Sequence, residues 1–544
     1  MKKNKIEKND SFDFMKINKD NINNVIRDNI ILPIINDLVN RTNKIIIHSY
    51  QFLKLYLIYL FENNQKFPLI NKVFISHIFK VITKRKCKKG NKSKDNQLIL
   101  LSNFYDEYYS KTICDNEIIY YDKLKYILAY EAIDMVTNIN NNISEHFIDH
   151  LNKYVNLVFD VKNKSAKITK NNKDKTIRKE LHKNLYSEID KVKKDLITFG
   201  NFTSDPKYHN WIKEQKQKLF PNKISFDKDN IYFDLKSNTQ DYLISMFYLS
   251  SKLEKMNDKI IENNLINNTK NKQIRLFNVL PLRTNIIGKY ITIDTCGLIY
   301  SFINDENCSC YKYTLSYKKE NNQYDLWNKF FKLDNKVFKK NNYKFHHIIK
   351  TDGISCSILF IKTDINNNPV SKKYKNYKLD DNTNYIEKIK ITDEIKNMKV
   401  VCIDPGMSDL IYCGSKNDED ELETFRYTQN QRRLETRNKK YNKIIDTINK
   451  EVQINDKSIK ELETILSSLN SKTIDFDKFK EYIIEKNKLN NLVYNHYEQP
   501  LFRKLKFNRF INTQKSESKM LNNFENKFGS SKNTRIAHFI RLYR

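Results

Sequence analysis

The residue whose type and position most clearly suggest catalysis or metal binding is an aspartate at the end of a short apolar run. Residues 400–403 read Val-Val-Cys-Ile, and Asp404, Pro405 and Gly406 follow them. Such a run predicts a buried strand that ends at Pro405, so we expect the carboxylate of Asp404 at the carboxyl edge of a sheet. A carboxylate held there can bind Mg²⁺, and pairs of Mg²⁺ ions about 3.5–4 Å apart cleave phosphodiesters. The alternative is an ordinary aspartate between a strand and a turn.

A group of basic side chains follows this aspartate along the chain. Thr428 and Gln431 fit a capping box, which predicts the start of a helix. Positions four and seven residues apart lie on one helix face, so Arg433, Arg437 and Lys440 are expected to form a basic stripe. The alternative is a solvated, ion-paired face. The candidates for phosphate contact in this segment are Arg432, Arg433, Arg437 and Lys440.

A second basic patch occupies residues 502–510, where cations alternate with phenylalanines. Such interleaving is typical of a surface that contacts a nucleic-acid backbone and stacks on bases. On a helix, the phenylalanines fit a protein core equally well. The candidate nucleic-acid contacts here are Arg503, Lys504, Lys506 and Arg509.

The spacing of apolar residues divides the chain into regions. Helical spacing covers residues 21–83 and 120–159, and the basic segment 162–183 is either a solvated linker or an RNA-contacting stretch. Alternation predicts strands at residues 274–280, 290–294, 298–302, 345–349 and 355–361. A meander of three strands is expected at residues 400–403, 410–413 and 424–427. Helices then continue to about residue 528, and a last candidate strand spans residues 534–540.

Length and charge favour a folded, multidomain partner of a polyanion. The chain has 544 residues and a formal net charge of +32. That length exceeds one ordinary core, and that charge suits binding to nucleic acid through counterion release. With 33 tyrosines and 32 phenylalanines, the composition differs from that of a disordered basic tail.

The N-terminus and the cysteines predict an intracellular location. The first residues are charged and carry no secretory apolar segment, and residues 45–61 include polar side chains, which indicates a buried helix and no membrane partner. The eight cysteines are scattered, so neither a disulfide framework nor a structural zinc is expected. The nucleus or a cytoplasmic viral or host compartment fits these features.

Several separated motifs resemble, in order, the TnpB and Fanzor family of transposon-associated RNA-guided nucleases. Residues 401–406, 424–428 and 431–433 resemble the first RuvC motif and the strand and helix after it. Residues 277–283, 291–295 and 351–357 resemble the β-rich wedge region that precedes RuvC. Residues 500–506 and 514–517 resemble the helices before the second RuvC motif. The resemblance spans about residues 270–530.

This resemblance implies a multidomain α+β fold. It implies a helical recognition-like lobe over residues 1–270 with a basic linker near 162–183, a β-rich wedge-like domain over 271–395, and a partial RuvC domain of RNase H-like type over 396–544 with a helical insertion at 428–528. It also implies DNA and a guide RNA as partners, with base pairing selecting the target. Asp404 would be the catalytic residue and a Mg²⁺ ligand.

The sequence departs from the family after the last candidate strand. Residues 541–544 read Arg-Leu-Tyr-Arg where the second acidic motif is expected, and the third acidic motif and the zinc ribbon have no counterpart. We therefore expect an incomplete carboxylate set and no independent nuclease activity. Three interpretations remain open: an interrupted RNA-guided endonuclease, a non-cleaving DNA- or RNA-binding module, and a non-functional mobile-element remnant.

Overall fold

The computed structural model describes residues 14–84, 96–114, 119, 121–221, 223–303, 320–364, 399–416, 419–529 and 534–538. The protein is a mixture of helix and sheet, as the sequence predicts, and helix predominates. Among the described residues, no helix combines the length and the apolar character needed to cross a membrane.

The α-helices follow one another along most of the chain. In order they are α1 Ile22–Val25, α2 Ile31–Glu62, α3 Lys72–Ile82, α4 Asn96–Phe104, α5 Lys125–Val158, α6 Val161–Asn171, α7 Lys175–Leu196, α8 His209–Leu219, α9 Ile231–Ser237, α10 Leu243–Ile266, α11 Thr295–Phe302, α12 Glu320–Phe330, α13 Gln429–Glu435, α14 Asn438–Glu451, α15 Ile459–Thr464, α16 Phe476–Glu498 and α17 Pro500–Phe528. The strands are β1 Met15–Asn21, β2 Ile291–Asp294, β3 Tyr343–Thr351, β4 Ser355–Lys362, β5 Lys399–Asp404, β6 Asp409–Lys416, β7 Leu422–Thr428, β8 Gln453–Ile454, β9 Lys457–Ser458 and β10 Thr534–His538.

The chain forms two compact units, and each contains separate stretches of sequence. Unit 1 comprises Met1–Asn36, Leu315–Glu461 and Asn495–Arg544, and unit 2 comprises Asp37–Thr314 and Leu462–Tyr494. This grouping differs from the predicted segments 1–270, 271–395 and 396–544. One reason is that β1, near the N-terminus, pairs antiparallel with β4, with Met15 opposite Ile361. The N-terminal region was predicted to be helical, but it also contains the strand β1.

Unit 2 is built on buried aromatic and aliphatic side chains of its helices. The predicted buried helix at residues 45–61 is confirmed as part of α2, where Leu53 and Leu57 are fully buried. Phe52 packs edge-on against Phe104 and Tyr109, with ring centroids 5.6 and 5.3 Å away. Such packed aromatic pairs add to the stabilisation that burial of apolar area provides.

The basic segment at residues 162–183, predicted to be a solvated linker or an RNA-contacting stretch, is mostly helical. It lies within α6 and α7, which meet at a short connection. The side chain of Asp174 caps α7, because its Oδ1 accepts hydrogen bonds from the backbone N–H groups of Thr176 and Ile177 at 2.6 and 3.3 Å. A capped helix of this length holds its lysines at fixed positions on a solvated surface.

Two predicted strands are also corrected. Residues 274–280 form no strand, because the backbone N–H and C=O of Ile274 bond to the side chain of Asn257, at 2.6 and 2.9 Å. Residues 298–302 lie in α11, which begins where Asp294 Oδ1 accepts the Gly297 N–H at 2.7 Å. The strands predicted at residues 290–294, 345–349 and 355–361 are confirmed as β2, β3 and β4.

Besides the short β8–β9 pair, the described part of unit 1 contains two sets of paired strands that bear on the site. In the first, β4 lies between β1 and β3 and is antiparallel to both. In the second, the order is β10–β5–β6–β7, in which the predicted meander β5–β6–β7 is antiparallel and β10 is parallel to β5. Val401, Cys413 and Phe528 form the buried core of this second sheet. β5 has a neighbour on each edge, but only one of its faces is covered: Val401 is fully buried, whereas Val400 is 44% exposed and Cys402 is exposed, so the prediction of a buried strand was only partly correct.

Candidate nucleic-acid interface

Asp404 lies where the sequence predicts, at the last position of β5. It is exposed and sits opposite Tyr412 on β6. The turn after it is closed by the Gly406 N–H, which donates to the Asp409 carbonyl at 2.8 Å. A Cβ on residue 406 would stand 3.0 Å from that carbonyl oxygen, which explains a glycine at this point. The turn therefore begins directly after Asp404, which leaves this residue at the carboxyl end of β5.

The fit of this edge to a magnesium site rests on one carboxylate. Asp409 is engaged elsewhere, because its carboxylate pairs with the Arg426 guanidinium, and this hydrogen bond raises the pKa of Arg426. In the described ranges, no three His, Cys, Asp or Glu side chains are grouped so as to hold a metal ion. Residues 541–544, where an acidic motif was expected, lie outside the described residues. Magnesium at Asp404 stays a prediction.

The first basic segment begins as predicted but is not one helix. The Oγ1 of Thr428 accepts the Gln431 N–H at 3.0 Å, which confirms the cap. Helix α13 then ends at Glu435, and Arg437 adopts the left-handed conformation with φ of 57° before α14 begins. Arg433 therefore does not share a helix face with Arg437 and Lys440, and the predicted continuous stripe was wrong. Leu434, an apolar residue of α13, is 79% exposed.

The four cations of this segment are nevertheless on the surface. Arg432, Arg433, Arg437 and Lys440 are all exposed. Arg432 Nη2 lies 3.6 Å from Glu517 Oε1, an exposed pair that contributes little to stability. The α13–α14 segment thus carries an accessible group of positive charges in the same unit as Asp404.

Arg503 corrects the prediction for the second patch. Its side chain is only 2% exposed, and its Nη1 donates to Asn36 Oδ1 at 2.8 Å and to the Asp352 carbonyl at 2.6 Å. Its Nη2 donates to the Glu498 carbonyl at 3.0 Å. A phosphate cannot reach this guanidinium, because protein oxygens already occupy it inside unit 1. Arg503 is therefore a structural residue and not a nucleic-acid contact.

The rest of the second patch divides between core and surface. Phe502 and Phe507 are buried, as the core interpretation of these residues anticipates, while Lys504 and Lys506 are exposed. Arg509 is half-buried, and its Nη2 donates to Asn442 Oδ1 at 2.9 Å. Of the four predicted cations in this patch, the two lysines are the ones on the surface.

One feature of unit 1 was not predicted from the sequence. An open groove of about 1130 Å³ lies between β1 and α17, with residues 335–337 at its side. We call it the β1–α17 groove. No local sequence pattern connects the two walls of the groove, because β1 and α17 are more than 470 residues apart in the sequence. The available signal was the helical spacing of polar residues at 515, 518, 522 and 526, which places them on one face of α17.

Comparison with known proteins adds one match. The model of a domain of unknown function (DUF8286) matches residues 291–362, the region that carries β2, β3 and β4. A search of curated proteins finds no match to this chain.

Proposed function

We propose that this protein binds nucleic acid through the exposed cations of unit 1, and that the β10–β5–β6–β7 sheet is the first part of an RNase H-like RuvC domain similar to that of TnpB and Fanzor proteins. The observation that carries the proposal is the position of the α13–α14 cations. Arg432, Arg433 and Arg437 follow directly on β7 and are exposed in the same unit as Asp404.

The arrangement of strands supports the RNase H-like part of the proposal. In an RNase H-type sheet the first three strands form a meander, and the fourth runs beside the first. Here β5, β6 and β7 form an antiparallel meander, and β10 pairs in parallel with β5, with His538 beside Ile403. Asp404 then stands at the end of the first strand, where such a domain carries its first acidic residue.

The electrostatics support binding more directly than they support catalysis. A chain with a net charge of +32 releases counterions when its lysines and arginines contact phosphates. By resemblance to the family, the partners are a guide RNA and a DNA target. Binding needs only accessible charges in fixed positions, and the α13–α14 segment supplies them. The proposed activity is binding, and cleavage is not part of it.

A salt titration with a matched charge control tests this proposal. The affinity of the full chain for a labelled DNA duplex of about 20 base pairs is measured by fluorescence anisotropy over a range of salt. Log affinity should fall linearly with log salt, and the variant Arg432→Gln/Arg433→Gln/Arg437→Gln should lower the slope by about 0.9 for each phosphate that the variant no longer neutralises. The control Lys255→Gln/Lys259→Gln/Lys270→Gln removes the same charge from exposed positions in unit 2.

The two variants separate specific contact from general charge. The control should keep the wild-type slope because its lysines lie outside the proposed surface. If both variants change affinity equally, the charge acts as a whole and the α13–α14 surface is not the site. If wild-type affinity does not respond to salt, the protein does not bind through phosphates.

A further inference from the structure

The β1–α17 groove has the chemistry of a site for a flexible polar polymer. Its helical wall presents amides and hydroxyls on one face of α17, with Asn522, Asn526 and Ser518 all exposed. Amide side chains offer a donor and an acceptor side by side, which matches the hydrogen-bonding edges of nucleobases. The face from residue 515 to residue 526 is about 16 Å long, which accommodates roughly five stacked nucleotides of one strand.

Positive charge accompanies these amides on both walls. Four lysines line the groove: Lys515 and Lys519 on α17, Lys336 beside the groove, and Lys19 on β1. Asp20 is the one acidic residue among the lining residues. Lys519 is 3.3 Å from Glu435 Oε1, whereas Lys515 and Lys336 are exposed. The alternation of lysines with amides suits a ligand that carries both phosphates and hydrogen-bonding bases.

Apolar surface completes the groove. Phe510 is 38% exposed, and the Nζ of Lys19 lies 4.1 Å from the centre of its ring. Ile511 lies beside it on α17, and Ile17 on β1 is also exposed. Aromatic and apolar surface next to cations is what unpaired bases use for stacking in single-strand binding sites.

The shape of the site favours a single strand over a duplex as its ligand. A helix that reads duplex DNA must enter the major groove as a protruding element. Here the polar face of α17 is the wall of a concave groove, and β1 and residues 335–337 form the opposite side. A single strand that lies in this groove can present its unpaired base edges to these amides.

We propose that the β1–α17 groove holds a single nucleic-acid strand, with the amides of Asn522 and Asn526 bonding to unpaired bases and Lys515 contacting the phosphate backbone. This inference rests on the proposed function of nucleic-acid binding and adds a second, base-reading site to it. The α13–α14 cations contact phosphates of any nucleic acid, whereas the groove distinguishes single strands from duplexes.

The test compares two probes and three variants of the full chain. The probes are an oligoadenylate RNA of about twelve nucleotides, because adenine presents the edge that an amide matches with two hydrogen bonds, and duplex DNA of about 20 base pairs. Asn522→Ala/Asn526→Ala should weaken oligoadenylate binding at least about fivefold and leave duplex binding within about twofold. Lys515→Gln should lower the salt slope for oligoadenylate by about 0.7.

The control is Asn508→Ala, which removes an exposed asparagine of the same helix that does not line the groove. It should bind both probes like the wild type. Alanine favours helix, so neither asparagine variant is expected to disturb α17, and matching melting curves would verify this.

The results distinguish this inference from the proposed function. If the groove variants bind oligoadenylate like the wild type while Arg432→Gln/Arg433→Gln/Arg437→Gln weakens duplex binding, the groove inference is overturned and the proposed function stands. Equal weakening for both probes would likewise refute single-strand selectivity. If the wild type binds neither probe, the proposed function fails, and the groove inference fails with it.

Discussion

Each of the two units buries a basic side chain, and the two side chains are accommodated differently. In unit 1, the guanidinium of Arg503 donates to oxygens of Asn36, Asp352 and Glu498. In unit 2, the ammonium of Lys54 is fully buried and donates to a single carbonyl, that of Ser471, at 2.7 Å. A guanidinium stays charged and needs several acceptors, whereas a buried amine can release its proton.

The surroundings of Lys54 favour the neutral amine over the charged ammonium. Burial lowers the pKa of Lys54 to about 7, and the charge of Glu254 opposes this shift. The Phe479 ring, whose centre lies 4.3 Å from Nζ, supplies a further favourable contact for the charged form. Counting lysines and arginines therefore overstates the binding surface, because some cations serve the interior. The following experiments test this contrast, beginning with the largest expected effect.

Replacing Arg503 should be far more damaging than replacing an exposed arginine. Arg503→Ala leaves the Asn36 oxygen and two carbonyl oxygens unpaired in a buried environment and removes a large side chain, so the free energy of unfolding should fall by about 3–5 kcal/mol. Arg433→Ala, at an exposed position, should change it by less than about 0.5 kcal/mol. Urea unfolding of both variants measures the difference. Equal stabilities would show that Arg503 is not a structural anchor.

The backbone beside Arg503 should tolerate little change. Gly353 has φ of +82°, and a Cβ there would lie 2.1 Å from Asn36 Oδ1 and 2.9 Å from Arg503 Nη1. Gly353→Ala should therefore lower the free energy of unfolding by about 2–3 kcal/mol. Gly414→Ala is the matched control, because its Cβ would meet only Leu422 Cδ1, at 3.4 Å. Melting curves compare the two, and an unchanged Gly353→Ala protein would contradict the close packing around Arg503.

The contribution of Lys54 should depend on pH. Its pKa is about 7 in the folded protein and ordinary, near 10.5, after unfolding. Between pH 7 and pH 10.5, Lys54 is protonated in the unfolded chain and largely neutral in the folded protein. The unfolded state therefore binds more protons, and the free energy of unfolding rises with pH. Relative to Lys54→Met, wild-type stability should therefore rise by up to about 1.4 kcal/mol per pH unit from about pH 7 to pH 10. Below pH 7 the difference should be constant.

Urea unfolding of wild type and Lys54→Met at several pH values measures this slope. Lys255→Met provides the comparison at an exposed lysine of the same unit, where the substitution should change the free energy of unfolding by less than about 0.5 kcal/mol. A flat difference for Lys54→Met would mean that the ammonium keeps its charge in the core, as Arg503 does.

The sequence predicted what depends on nearby residues. The apolar run before Asp404 and the following Pro405 and Gly406 act within a few residues, and β5 and its aspartate lie where they indicate. The cap at Thr428 is equally local and was also predicted. The end of α13 was not, because Arg437 adopts a left-handed conformation that its residue type rarely takes.

What depends on distant residues escaped prediction. The partners of Arg503 come from Asn36 and Asp352, so its burial has no local signature and an alternating basic patch looked like a surface. The pairing of β1 with β4 joins strands more than 300 residues apart, and it creates one wall of the β1–α17 groove. The candidate site could thus be predicted at Asp404 and the exposed cations, but the groove could not.

The parallel pairing of β10 with β5 has a consequence during synthesis. About 130 residues separate Asp404 from Thr534, so one edge of β5 has no β10 beside it until the ribosome has added those residues. At about 5–20 residues per second, that interval lasts roughly 6–26 seconds. During that interval the unpaired N–H and C=O groups along this edge of β5 can pair with a strand of another chain, which is a route to aggregation.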